Sequence, residues 1–79
     1  MDMSLAAQLE TVLRKAAGEG TALASMTVDY AGGGVEEGLE PKAWIERGTR
    51  SLVFAQGELR RLDGALAASA SAVFRRAAD

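Results

Sequence analysis

The sequence predicts an α+β domain in which one N-terminal helix packs on a four-stranded antiparallel sheet. Three observations carry this reading. Apolar residues recur at helical spacing over residues 4–17 and at period two over 21–30, the marks of an amphipathic helix and a half-buried strand. Glycines, one proline and an Asp-Gly pair divide the remainder into three further strand-length runs. A single register about Asp63-Gly64 sorts two of those runs into an apolar inside and a polar outside. At 79 residues the chain makes one domain, residues 1–79.

The helix is expected over 4–17, with Leu5, Leu9, Val12, Leu13 and Ala16 as its apolar stripe. Ser4 is suited to cap the start, Gly18 and Gly20 to stop it, and Arg14 and Lys15 to sit against the negative end of its dipole. The strand over 21–30 would set Ala22, Ala24, Met26, Val28 and Tyr30 on one face and Leu23, Ser25, Thr27 and Asp29 on the other. Residues 31–38, with Gly32-Gly33-Gly34 and Gly38, read as a loop. Pro41 marks the next strand, 39–47, as an edge, because proline has no N–H to donate to a ladder. Gly48-Thr49-Arg50 then turns the chain into a strand over 51–62. A two-residue loop there would set Trp44 beside Val53, and a three-residue loop with a bulge would set Ile45 there; the sequence leaves both open.

Asp63-Gly64 reads as a two-residue hairpin turn with both residues at positive φ, leading into a strand over 65–76. That turn pairs Leu62 with Ala65, Leu59 with Ala68, Gly57 with Ala70, Ala55 with Ala72 and Val53 with Phe74. Gln56, Glu58, Arg60, Ser69, Ser71 and Arg75 fall outside.

Composition narrows the function. Nine Lys and Arg against 11 Asp and Glu give a charge of −2, the wrong sign for a general nucleic-acid binder. Without Cys there is no thiolate metal site, and without His no Ser-His-Asp triad. Glu36, Glu37 and Glu40 match no metal-loop spacing, and the three glycines lack the Lys-Ser/Thr of a phosphate loop. No metal and no resident cofactor is therefore expected. Trp44 and Tyr30 are expected in the core or an interface. No apolar run is long enough to span a bilayer and Met1-Asp2-Met3-Ser4 lacks a basic leader, so a cytoplasmic protein off the membrane is expected. Sixteen of the residues are Ala. The core then depends on a few larger side chains, and a second copy would add burial that a chain this short lacks.

Residues 39–59, in which a strand ends at Arg47-Gly48-Thr49-Arg50, and residues 60–76, in which Asp63-Gly64 precedes the small-residue run Ala67-Ala68-Ser69-Ala70-Ser71-Ala72-Val73-Phe74-Arg75, carry a resemblance. In order and spacing they look like the strands of hotdog-fold acyl-CoA thioesterases of the phenylacetate and aryl-acyl type. Thr27-Val28-Asp29-Tyr30 resembles the end of the strand that follows that family's central helix. The resemblance covers residues 20–76 well and the helix loosely. It implies a hotdog-like fold and hydrolysis of an acyl-CoA thioester to free acid and CoA. It also implies a homodimer or higher homo-oligomer, paired through the strand after the helix. The family's first strand and His-Gly-Gly turn have no counterpart before residue 4, so the resemblance implies a member shortened at its N-terminus. The alternative is a non-catalytic hotdog module that binds an acyl ligand or serves assembly.

The resemblance also points to a carboxylate on the helix as base or nucleophile, followed by Ser or Thr; Glu10 and Thr11 stand at those positions. The plainer reading of Glu10 is an i, i+4 surface pair with Arg14. Arg47, Arg50, Arg75 and Arg76 are candidates for the phosphates of coenzyme A, since guanidinium forks match phosphate oxygens. Their plainer reading is ordinary exposed charge at strand ends.

Overall fold

The computed structural model describes residues 4–32 and 37–77. It contains the helix α1 (Leu5–Ala17) and four strands, β1 (Thr21–Tyr30), β2 (Glu40–Gly48), β3 (Leu52–Arg60) and β4 (Leu66–Arg76). All neighbours are antiparallel, in the order β1-β4-β3-β2. One helix on one face of a four-stranded antiparallel sheet is the α+β architecture expected. Pro41 stands on an edge strand, as its missing N–H requires. Among the described residues, no helix is long and apolar enough to cross a membrane.

The helix ends follow the sequence signals. Ser4 is extended and its Oγ accepts the Ala7 N–H at 3.1 Å. Gly18 leaves the helix at φ 87° while its N–H donates to the Arg14 carbonyl. Leu9 and Leu13 are fully buried, and both press on Gly57 in the middle of β3: a Cβ built there would lie 3.2 Å from Leu13 and 3.6 Å from Leu9. Val53, Ala55 and Leu59 flank this notch on β3, and Ala68, Ala70, Ala72 and Phe74 face the helix from β4. Five of the ten buried apolar residues are Ala. They supply closeness more than buried area, so Phe74, Leu9, Leu13 and Leu59, at about 1.5–3 kcal/mol each, give most of the burial energy.

Three details depart from the sequence reading. The β3–β4 connection is a three-residue loop in which Arg61 N–H donates to Ala65 O and Gly64 N–H to Arg61 O. Only Gly64, at φ 89°, is left-handed; among the described residues no other residue type has positive φ. Asp63 instead accepts the Ala65 N–H on its own carboxylate, so Leu62 does not pair with Ala65. The strand pairs expected from Leu59↔Ala68 to Val53↔Phe74 are nevertheless all present. The extra loop residue is cancelled by a bulge, since Arg60 opposes Leu66 and Ala67 is left over.

The β2–β3 turn lies two residues beyond Gly48-Thr49, with Arg50 and Ser51 at its centre. Thr49 N–H donates to Leu52 O, and Leu52 N–H returns to the Thr49 hydroxyl. Gly48 is therefore opposite Val53, with Trp44 opposite Gln56 and Ile45 opposite Ala55, which is neither expected register. In β1 a bulge at Ala24 reverses the faces: Leu23 packs toward the core with Met26 and Val28, while Ala22 and Ala24 are exposed. Trp44 and Tyr30 are exposed and not in the core, at 37% and 63%. The glycine loop expected at 31–38 lies partly outside the described residues.

The notch sets a test of packing. Gly57→Val is expected to lose about 1–3 kcal/mol by overpacking against Leu13. Leu13→Ala should lose about 2–5 kcal/mol as a cavity mutation. Because the two changes share one space, urea unfolding of the double variant should show a loss smaller than their sum; strict additivity would mean the contact does not bind helix to sheet.

Candidate functional site

The placement of Glu10 follows from helix geometry. Val12 lies on the flank of α1 toward β2, where it borders a shallow groove with Gln8, Thr11, Lys15 and Pro41. Two residues round the helix is about 160° by the shorter way, so Glu10 projects from the opposite flank, toward β1. Its Oε2 accepts from Arg14 Nε at 2.8 Å, with 42% of the Glu10 side chain and 52% of the Arg14 side chain exposed. The surface pair expected of this i, i+4 spacing is thus formed. Thr11 does not join it. Its hydroxyl donates back to the Ala7 carbonyl at 2.9 Å and it lies in the β2-side groove.

The two edges of the sheet differ. Along its ten residues β1 carries one charged side chain, Asp29, and no proline. The other edge, β2, carries Pro41, Lys42, Glu40, Glu46 and Arg47, and a bulge at Glu46. Both edges carry a bulge, β1 at Ala24 and β2 at Glu46, but charge and proline, which also protect an exposed strand edge, are concentrated on β2, so β1 is the edge more open to pairing. On the helix side of β1, Leu23, Met26 and Val28 are only half-buried.

The four candidate arginines gather at the β2–β3 turn end of the sheet but divide among its surfaces. Arg47 lies over the Phe54 ring at 5.6 Å, and Arg75 opposes Leu52, both on the face away from the helix. Arg50 is at the tip of the turn. Arg76, on the helix side, donates its Nε to the Thr49 carbonyl at 2.9 Å, and its backbone N–H to Ser51 O. Its guanidinium lies over Gly48, where an added Cβ would come within 2.9 Å of Nη2. The opposite end is tied by residues the sequence reading did not single out. Arg60 grips both oxygens of Glu58, at 2.9 and 3.1 Å, and donates to the Gly64 carbonyl at 2.9 Å. The period of two already places Glu58 and Arg60 on one face, so that pair was open to prediction. Arg61 donates to the carbonyl of Gly32, 29 residues away, which local pattern does not reveal. Among the described residues there is no cluster of three or more His, Cys, Asp and Glu able to hold a metal.

Glu58 is held below its ordinary value of 4.5, first by its hydrogen bonds from Arg60, against a smaller opposing effect of burial, and then by the charges of Arg60 and Lys42. A carboxylate with a lowered folded pKa contributes stability that is full above its unfolded value and lost as pH falls through the folded one. The stability difference between the natural chain and Glu58→Gln should therefore be largest near neutral pH and shrink below the ordinary value of 4.5. Urea midpoints measured across that range check it, and a constant difference would detach the pair from folding. Compared with known proteins, the sequence matches no family, and no curated protein matches it either.

Proposed function

We propose that this chain is a hotdog-type protein of the reducing cytoplasm that dimerises through β1 and hydrolyses an acyl-CoA thioester at the interface so formed. One observation carries the reading: Glu10 projects from the helix flank on the side of β1, the edge with less charge and no proline. Pairing of β1 with β1 of a second copy about a two-fold axis would continue the sheet and bring the two helices side by side. The half-buried Leu23, Met26 and Val28 would line the space for the acyl chain. Glu10 would take a proton from water as it adds to the thioester carbonyl. The tetrahedral adduct would then release the thiolate, which is protonated to the free thiol, and leave the acid. The arginines at the turn end of the sheet, Arg50 at the tip, Arg76 on the helix side and Arg47 and Arg75 on the outer face, would together supply positive charge toward the coenzyme A phosphates, with coenzyme A as part of the substrate and no resident cofactor.

A second reading, a non-catalytic hotdog module for acyl-ligand binding or assembly, is favoured by the 2.8 Å bond from Arg14 to Glu10. That bond occupies Glu10 Oε2, the kind of oxygen a base would turn toward water.

A panel of aliphatic and aryl acyl-CoAs distinguishes the two. Turnover is expected, with a loss of about 100-fold or more in Glu10→Gln, on the usual scale of general-base catalysis. Turnover that survives this change would remove Glu10 from the chemistry, and no turnover with any substrate would favour the binding module. Sedimentation should show a dimer, converted to a folded monomer by Val28→Pro, which removes an N–H that points away from β4 toward the open edge. A well-folded natural monomer would sink the β1 assembly.

A further inference from the structure

Six of the nine basic residues are carried to one end of the molecule. Arg14 and Lys15 are in the last turn of α1, which leads through Gly18–Gly20 to Thr21, the partner of Arg76. Arg47, Arg50, Arg75 and Arg76 surround the β2–β3 turn. Three arginines are occupied: Arg14 at this end by Glu10, and at the other end Arg60 by Glu58 and Gly64 and Arg61 by Gly32. Among the described residues no carboxylate pairs with Arg47, Arg50, Arg75 or Arg76, although Glu19 and Glu46 lie at the same end. The Glu46 carboxylate instead accepts from the Trp44 indole at 2.8 Å.

Arg76 differs from the other three in being fixed. Its Nε is anchored to the Thr49 carbonyl, and Gly48 leaves the space its guanidinium fills. That bond uses one of five N–H donors and leaves the two terminal amino groups as a fork. Arg50 rises from the residue next to Thr49. A fixed fork at a turn that also carries Arg50, with no carboxylate paired to either among the described residues, suits the oxygens of a phosphoryl group, which accept two parallel hydrogen bonds and carry negative charge.

We infer that Arg76, held over Gly48 by the Thr49 carbonyl, forms with Arg50 a binding site for a phosphoryl anion. The reading of the chain as a thioesterase bears only on where that anion comes from, the diphosphate of coenzyme A or a free phosphate compound; the site itself does not require it. Of the four candidate arginines, these two form the site. Arg47, stacked on Phe54, and Arg75, on the far face, contribute long-range charge.

Titration of the full chain with inorganic pyrophosphate, followed by NMR at fixed ionic strength, tests the site. Saturable shifts of the Thr49–Leu52 and Arg76 amides are expected. Arg76→Lys keeps the charge but loses the fork and should weaken binding about tenfold or more. Gly48→Ala displaces the guanidinium without removing a charge and should also weaken it. Lys42→Gln, at a distance from the turn, should leave affinity unchanged, and circular dichroism identifies any variant that fails to fold. A drift that sodium chloride reproduces, or affinity indifferent to both Arg76→Lys and Gly48→Ala in folded protein, overturns the site. Competition by coenzyme A assigns the anion to that source. Pyrophosphate binding without thioester turnover removes the hydrolase reading and leaves the site, whereas turnover without pyrophosphate binding overturns the site alone.

Discussion

Leu9 and Leu13 of the helix rest on the bare backbone of Gly57, and the rest of the molecule is arranged around that approach. A small sheet rich in Ala has little apolar surface to offer, so it gains burial by letting the helix come close. Gly57 is what permits the approach, and the alanines of β3 and β4 extend the flat floor on either side. The same contact fixes the rotation of α1. With Leu9 and Leu13 pointing down, Val12 and Thr11 fall toward β2, and Glu10 falls toward β1. The location of the one helical carboxylate is thus a consequence of core packing.

The bulges show how a sheet keeps its buried face while its turns vary. At the β3–β4 hairpin a loop one residue longer than expected is followed by one extra residue at Ala67, and the inside-outside pattern resumes unshifted. At β2–β3 the bulge at Glu46 turns Arg47 onto the outer face against Phe54. At β1 the bulge at Ala24 lets Leu23 join Met26 and Val28 on the helix side, which strict alternation would forbid. At β1 the partial burial of Leu23, and at β3–β4 the burial of Leu59 and Phe74, decides the phase, since a one-residue slip would turn the apolar side chains of the strand into water.

The charges are organised by the same topology. Antiparallel strands bring the end of β4, the end of β2 and the end of the helix to a single edge of the molecule, and most of its cations with them. At the opposite end the arginines are spent on structure: Arg60 ties Glu58 to the hairpin turn, and Arg61 reaches the β1–β2 connection. One end is therefore internally neutralised and held together, and at the other, among the described residues, Arg47, Arg50, Arg75 and Arg76 have no carboxylate partner.

The sequence by itself determined the element order, the caps at Ser4 and Gly18, the edge position of β2 and the pairing of β3 with β4. These rest on local backbone preferences and on a period that repeats over several residues, and both are written in consecutive positions. It also determined the Glu10–Arg14 pair, since four residues is one helical turn. What only the tertiary structure decided was where alternation breaks and which distant groups meet. A bulge costs little in local preference and is chosen by the core that it serves, so Leu23 lies on the face opposite to the one strict alternation gave it, and Ile45 could not be placed beforehand. The contact of Arg76 with Thr49 spans 27 residues and exists because β2, β3 and β4 lie side by side. The sequence shows four arginines near strand ends; the fold separates them over two faces and a turn and fixes one of them over a glycine.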